Sequence, residues 1–149
     1  MKLQQIKVNE NNDEKVIFST EQFNPQKASL LLAFGERTFL EKTTPFQKLK
    51  SLYPNAHIVI CSTSGQISNA NLVENDLMAT AIELERTEIK VSEIDIILNA
   101  DIQALGRTIK ENLLSQDLKS ILIISEGSFI NGTELINELI IQTKESIPI

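Results

Sequence analysis

Two residues in "HIVICSTSGQISNA" have the side chains of a nucleophilic catalyst. His57 could serve as a base and Cys61 as a nucleophile, if the two come within hydrogen-bond reach. They stand four apart in one apolar run that reads as a strand. At about 3.3 Å per residue their backbones lie about 13 Å apart, which forbids a dyad while the segment is extended. A hydrolase triad lacks its G-x-S-x-G elbow, and His57 is the one histidine of the chain. With one histidine and one cysteine there is no HxxxH, CxxC or DxDxDG pattern, so no metal centre is expected. "AFGERTFLE" has one Gly where a dinucleotide loop needs three, and "SEGSFINGT" lacks the Lys-Ser/Thr end of a P-loop. No enzyme and no cofactor are expected.

What remains is a grouping of small polar residues behind three apolar runs. The first run is followed by Gly35, Glu36, Arg37 and Thr38. The second is followed by Cys61, Ser62, Thr63, Ser64 and Gly65. Ser125, Glu126, Gly127, Ser128 and Asn131 follow the third. Parallel strands would bring all three loops to one edge, where open sheets bind ligands. The third loop leads into a helix start whose free N–H groups favour an anion, and Arg37 could pair with a carboxylate. The same residues have structural uses. Ser, Thr and Asn cap helices and make turns, Arg37 can be a solvated surface residue, and Cys61 can fill a small apolar space.

The elements that must position these loops are legible in the periodicity. "SLLLAFG" is a continuous apolar run, as in a strand covered on both faces. Thr44, Pro45 and Gln47 form a helix start signal, with Thr44 as N-cap. Phe46, Leu49, Leu52 and Tyr53 then mark one helix face, and Pro54-Asn55 end it. "HIVICS" follows as the next strand, completing a β–α–β unit expected to be parallel and right-handed.

"DLMATAIELE" and "TEIKVSEIDIIL" flank Arg86-Thr87 and read as an antiparallel hairpin, with a bulge or break near Ser92-Glu93. A helix follows, with Ile102, Leu105, Ile109 and Leu113 on one face and Asn99 or Asp101 as cap. Gly106 inside it costs up to about 1 kcal/mol relative to Ala unless close packing needs the missing side chain. "KSILIISEG" is the third expected strand, and Asn131 with Glu134 has capping-box spacing ahead of a last helix buried on Leu135, Ile136, Leu139 and Ile140. "SIPI" starts a further strand. Near the N-terminus, "LQQIKV" and "KVIFST" read either as two strands around a turn or as a loosely structured lead-in over 1–27. The expected fold is α/β (α+β), a mixed sheet with helices packed on it in the order β–α–β, β-hairpin, α–β–α–β.

The 149 residues, 42% hydrophobic and 23% charged, fit one globular domain over 1–149. A net charge of −6 with scattered basic residues and no Trp argues against nucleic acid. The first residues contain no apolar signal region, and runs such as Ile121 to Ile124 are strand length, far below the ~20 residues of a membrane span. The single cysteine fits a reducing compartment, so a cytoplasmic location is expected.

"SLLLAFG", "YPNAHIVICSTSGQI" and "ILIISEGSFINGTELINEL" together resemble the N-terminal part of FIST domains, sensory modules of bacterial and some eukaryotic signalling proteins. The resemblance rests on Phe34-Gly35, on Cys61, Ser62, Thr63 and Gly65, and on Ser125, Gly127, Asn131 and Gly132, in family order and spacing from Ser29 to Ile149. Ile60 departs from it, standing where the family commonly has Gly. The segment before the first strand is shorter than usual, and the family continues beyond the point where "SIPI" stops. The resemblance implies a sensory domain that binds a small polar ligand, an amino acid among the candidates, and that signals to a downstream protein or domain. It implies no catalytic residue. The rival expectation is a protein-interaction module with no small ligand, working through a sheet edge.

Overall fold

The computed structural model describes the chain except for residues 69–70, 74, 97–100, 126, 128–129 and 144–146, and except for the side chains at 68 and 71. The chain divides into two compact units, Met1–Ile89 and Lys90–Ile149.

In the first unit the polar cluster Asn9–Asp13 makes a turn rather than a loose lead-in. Asn9 Oδ1 accepts from the backbone N–H groups of Asn11 and Asp13, both at 2.9 Å. This local Asx bonding closes the chain between β1 (Lys2–Val8) and β2 (Glu14–Ser19), which pair antiparallel. Past a short 3-10 turn at Pro25–Lys27 come β3 (Leu30–Gly35), α1 (Arg37–Thr43), α2 (Phe46–Leu52) and β4 (His57–Ser62). The small hairpin β5 (Gln66–Ser68) and β6 (Asn71–Val73) precedes β7 (Leu77–Glu83). The main sheet runs β2-β1-β7-β3-β4, with β3 and β4 parallel and every other pair antiparallel. This is the expected α+β class with a mixed sheet.

Strand alternation puts Ile6, Val8, Leu31, Ala33, Leu77, Ala79 and Ala81 into one buried cluster with Phe39 of α1 and Leu49 of α2. Tyr53 and Ala56 complete that core. The small residues Ala33, Ala79 and Ala81 lie along adjacent strands and leave room for the larger helical side chains. Glu83 ends β7 as a buried carboxylate, matched by Lys2 at 3.6 Å and by the N–H of Asn24 at 3.1 Å.

Three expectations fail here. Thr44 is not the N-cap of a helix. It closes α1 in the left-handed conformation, with φ 43° and its N–H on the Leu40 carbonyl, and Pro45 precedes α2 without a side-chain cap. Phe46 leaves the expected buried face and is 47% exposed, while Leu49 and Tyr53 hold theirs. β7 does not form a hairpin with the segment after Arg86. Its backbone groups are taken by β1 and β3, and residues 87–96 have no strand partner among the described residues. The rest of that expected strand, 97–98, lies outside the described residues.

The second unit contains α3 (Ile102–Leu113) and α4 (Gly132–Thr143). Its fully buried cluster is Leu105, Leu135 and Leu139, with Ile94, Ile109, Ile123 and Ile130 packed against it. Asp101 caps α3, accepting from the N–H groups of Gln103 and Ala104 at 2.9 and 3.2 Å. The alternative cap, Asn99, is outside the described residues. Gly106 is needed for packing, because a Cβ there would stand 2.5 Å from Glu138 Cγ of α4. The expected strand in "KSILIISEG" has no ladder among the described residues, and neither has "SIPI"; the N–H of Ile121 bonds the Pro148 carbonyl at 2.9 Å. Among the described residues the order is therefore three strands, two helices, four strands and two helices, in place of the expected alternation.

Candidate functional site

Parallel pairing sets the geometry. Gly35 of β3 registers with Ser62 of β4, and Phe34 with Cys61. The loops that follow therefore leave the sheet side by side, and the N–H of Thr63 bonds the Gly35 carbonyl at 2.9 Å. Two of the three expected loops thus share one edge within the first unit.

Each residue at this edge has a distinct role. Gly35 is small because Leu40 of α1 and Leu77 of β7 close over it, with side-chain carbons 3.1 and 3.0 Å from where a Cβ would stand. Thr63 ties the turn, its hydroxyl donating to the Gly65 carbonyl at 3.0 Å and accepting from the Gly65 N–H at 3.4 Å. Gly65 lies under Leu72 of the β5–β6 hairpin. Ser62 and Ser64 are exposed on either side of Thr63. Arg37 points along its own helix, with Nε donating to Glu41 at 2.8 Å, and both side chains are largely in solvent.

Cys61 is half-buried, and burial pushes its thiol pKa up. That is the reverse of what a nucleophilic thiolate needs. His57 stands at the opposite end of β4. Among the described residues no group of three or more His, Cys, Asp or Glu could hold a metal ion, and no helix is long and apolar enough to cross a membrane.

The third expected loop belongs to the second unit. Ser125, Gly127 and Asn131 are exposed there, and Glu126 and Ser128 lie outside the described residues. Asn131 serves the α4 cap at both ends of its amide. Its Oδ1 accepts from Thr133 and Glu134 N–H at 3.1 and 3.4 Å, and its Nδ2 donates to Glu134 Oε1 at 3.0 Å. This unit also has a half-open pocket of about 280 Å³, lined by Ile94, Ile109, Ile121, Ile123 and Leu135 together with Ser92 and Ser125.

Sequence reasoning passed over one residue at the first-unit edge. Gln66 is 5% exposed, and its Nε2 donates to the carbonyls of Phe34 at 3.3 Å and Asp76 at 3.2 Å. It links the end of β3 to the approach to β7. Its Oε1 is buried and has no hydrogen-bond partner among the described residues. An unsatisfied buried acceptor costs about 1–3 kcal/mol. Nothing in the polar run "STSGQ" separates this glutamine from its neighbours, because its burial comes from β3 and β7, distant in sequence.

The chain matches no curated protein and no solved structure. A family model, the FIST N domain, matches residues 29–149, from the residue before β3 through both helices of the second unit. That span includes the paired strand ends of β3 and β4 and the capped loop before α4, and it covers most of the chain: the protein belongs to the FIST N domain family, a family of sensory and signal-transduction domains.

Proposed function

We propose that this protein is a sensory domain that holds a small polar ligand, an amino acid among the candidates, at the first unit's sheet edge. Gly35 and Arg37 on one loop and Cys61 to Gly65 on the other form that edge. The observation that carries the reading is the parallel register of β3 and β4, which sets Gly35 beside Ser62 and joins their loops through Thr63. Exposed hydroxyls of Ser62 and Ser64 supply donors and acceptors, and Arg37 can exchange Glu41 for a ligand carboxylate at little cost, since a solvent-exposed pair is weakly held. Asn131 is occupied by its helix cap, so the reading rests on these two loops. The output is a downstream signalling protein or domain. The single cysteine fits a bacterial cytoplasm.

The test is a thermal-shift screen of the full chain against amino acids and small carboxylates. A ligand at 100 times its dissociation constant adds about 2.7 kcal/mol of stability. No shift with any compound, on a folded protein, rejects the reading.

One observation favours a second reading, an interaction module with no small ligand. Ile67 and Leu72 pair across the β5–β6 hairpin and are 77% and 64% exposed. If they meet a partner or a second copy, Ile67→Ser abolishes the complex seen by light scattering. A monomer that captures no partner leaves the first reading in place.

A further inference from the structure

Asn131 is the one asparagine of the chain that is followed by glycine. Asparagine is a chemically labile residue, and it is most so before glycine, where no Cβ shields the next backbone nitrogen from the side-chain amide. The fold gives Gly132 no other task. Its φ is not in the left-handed region, and a Cβ added to it would meet nothing within 4 Å. Gly106 differs, since Glu138 fills the space its side chain would need. Gly132 also opens α4, although glycine is a poor helix former. Asn131 itself is exposed, and three bonds of the α4 cap hold its amide: two accepted at Oδ1, and one donated by Nδ2 to Glu134. The side chain must leave that cap before its Cγ can face the Gly132 nitrogen. Helix ends fray, so the first turn of α4 supplies the opening.

We propose that Asn131 is a site of spontaneous deamidation, its rate in the folded protein limited by release of its own helix cap. The Gly132 nitrogen gives its proton to water and attacks the Asn131 Cγ. A new N–C bond closes a cyclic imide, the Cγ–Nδ2 bond breaks, and ammonia leaves with the proton returned by water. Water then opens the imide at either carbonyl, without oxidation or reduction. One product is aspartate, and the other is isoaspartate, in which the main chain runs through Cγ. Both lose the Nδ2 donor to Glu134 and add a negative charge to a chain of net charge −6. Aspartate can still cap α4. Isoaspartate lengthens the main chain by one carbon and takes the acceptor away from the Thr133 and Glu134 N–H groups. The altered turn leads directly into Leu135, which is 3% exposed in the core of the second unit. Formation of isoaspartate therefore loosens that unit from the start of α4.

The experiment incubates the full chain at mildly alkaline pH, folded and in urea, and maps its peptides by mass spectrometry. Deamidation adds about one mass unit at residue 131, and fragmentation by electron transfer tells isoaspartate from aspartate. In the folded protein Asn131 is expected to convert before every other asparagine, and about tenfold more slowly than in urea, the scale of one helix cap. Glu134→Ala removes the bond at Nδ2 and should speed the folded-state reaction about threefold, with the rate in urea unchanged. Gly132→Ala places its methyl in open space, so it should fold, and it should suppress conversion in both states. Another asparagine converting first in the folded protein overturns the proposal. So does an equal folded-state rate with and without Glu134. Asn131 that stays intact in the folded protein over about a hundred half-lives of the urea sample also overturns it, because the first turn of α4 then does not open locally. Should Glu134→Ala fail to fold, the folded and urea rates of the unaltered protein and of Gly132→Ala decide the matter.

Discussion

"SLLLAFG" in the first unit and "KSILIISEG" in the second carry nearly the same local signal. Each is an apolar run of strand length that ends in Gly. In the first unit the run becomes β3, hydrogen-bonded to β4 on one side and β7 on the other. In the second it has no ladder among the described residues. The contrast shows that an apolar run specifies burial, while a strand also needs partners that fill its backbone groups. The first unit supplies them from residues far apart in sequence. The second packs its runs against two helices, beside a half-open pocket of about 280 Å³.

The largest expected effect tests this difference in packing. Leu49 is 0% exposed in the continuous core of the first unit. Leu49→Ala is expected at the upper end of the 2–5 kcal/mol range for Leu→Ala, because that core is held open by a hydrogen-bonded sheet and cannot collapse. Leu135 is 3% exposed but lines the second unit's pocket. Leu135→Ala is expected at ~2 kcal/mol, since its neighbourhood is half open to solvent and water can fill the space left behind. Urea denaturation of both variants decides it, and a larger loss for Leu135→Ala would reverse the comparison.

The second unit has one point of tight packing, at Gly106. Alanine there gains up to about 1 kcal/mol of helix propensity but drives a methyl into Glu138, at an overpacking cost of about 1–3 kcal/mol. Gly106→Ala is expected to lower stability by about 1 kcal/mol net. In a Glu138→Ala background the obstacle is gone, and the same substitution should stabilise. If its sign stays the same in both backgrounds, the α3–α4 contact does not set the choice of glycine.

Tyr53 tests the first unit at its core. Its hydroxyl donates to Gln4 Oε1 at 2.8 Å, and burial, aided by the charge of Glu14, pushes its pKa up to about 12. The folded state resists ionisation, whereas the unfolded chain loses the proton near 10. This group's contribution to stability is therefore intact below pH 10 and falls as pH rises towards 12. Melting temperature should drop across that window, and Tyr53→Phe should remove its share of the drop while costing about 1 kcal/mol at neutral pH.

Much of this molecule was legible because its rules are local. Asp101 and Asn131 cap their helices where a short side chain stands before an apolar periodic stretch, and β3 and β4 follow from two apolar runs with helical residues between. The failures have a common cause. β7 was assigned its neighbour in sequence, but its partners begin at Lys2 and Leu30. Thr44 satisfied an N-cap pattern that α1, a helix with weak periodicity, had already claimed. At the candidate site the hydroxyls and Gly35 were visible as types. Gln66 was not, because only the sheet makes a glutamine in a polar run into a buried one.

The smallest expected effect bears on the edge itself. Arg37 and Glu41 lie four apart on α1, with side chains 81% and 62% exposed. Such a solvent-exposed pair is weak, and salt screens it. Arg37→Ala should therefore leave the urea midpoint almost unchanged. Its effect on ligand binding separates two roles. If Arg37 holds a ligand carboxylate, the substitution weakens carboxylate-bearing compounds and leaves their amides untouched. If Arg37 is only a solvated helix residue, both classes bind as before. The edge would then recognise its ligand through the β4 turn, at Ser62, Thr63 and Ser64.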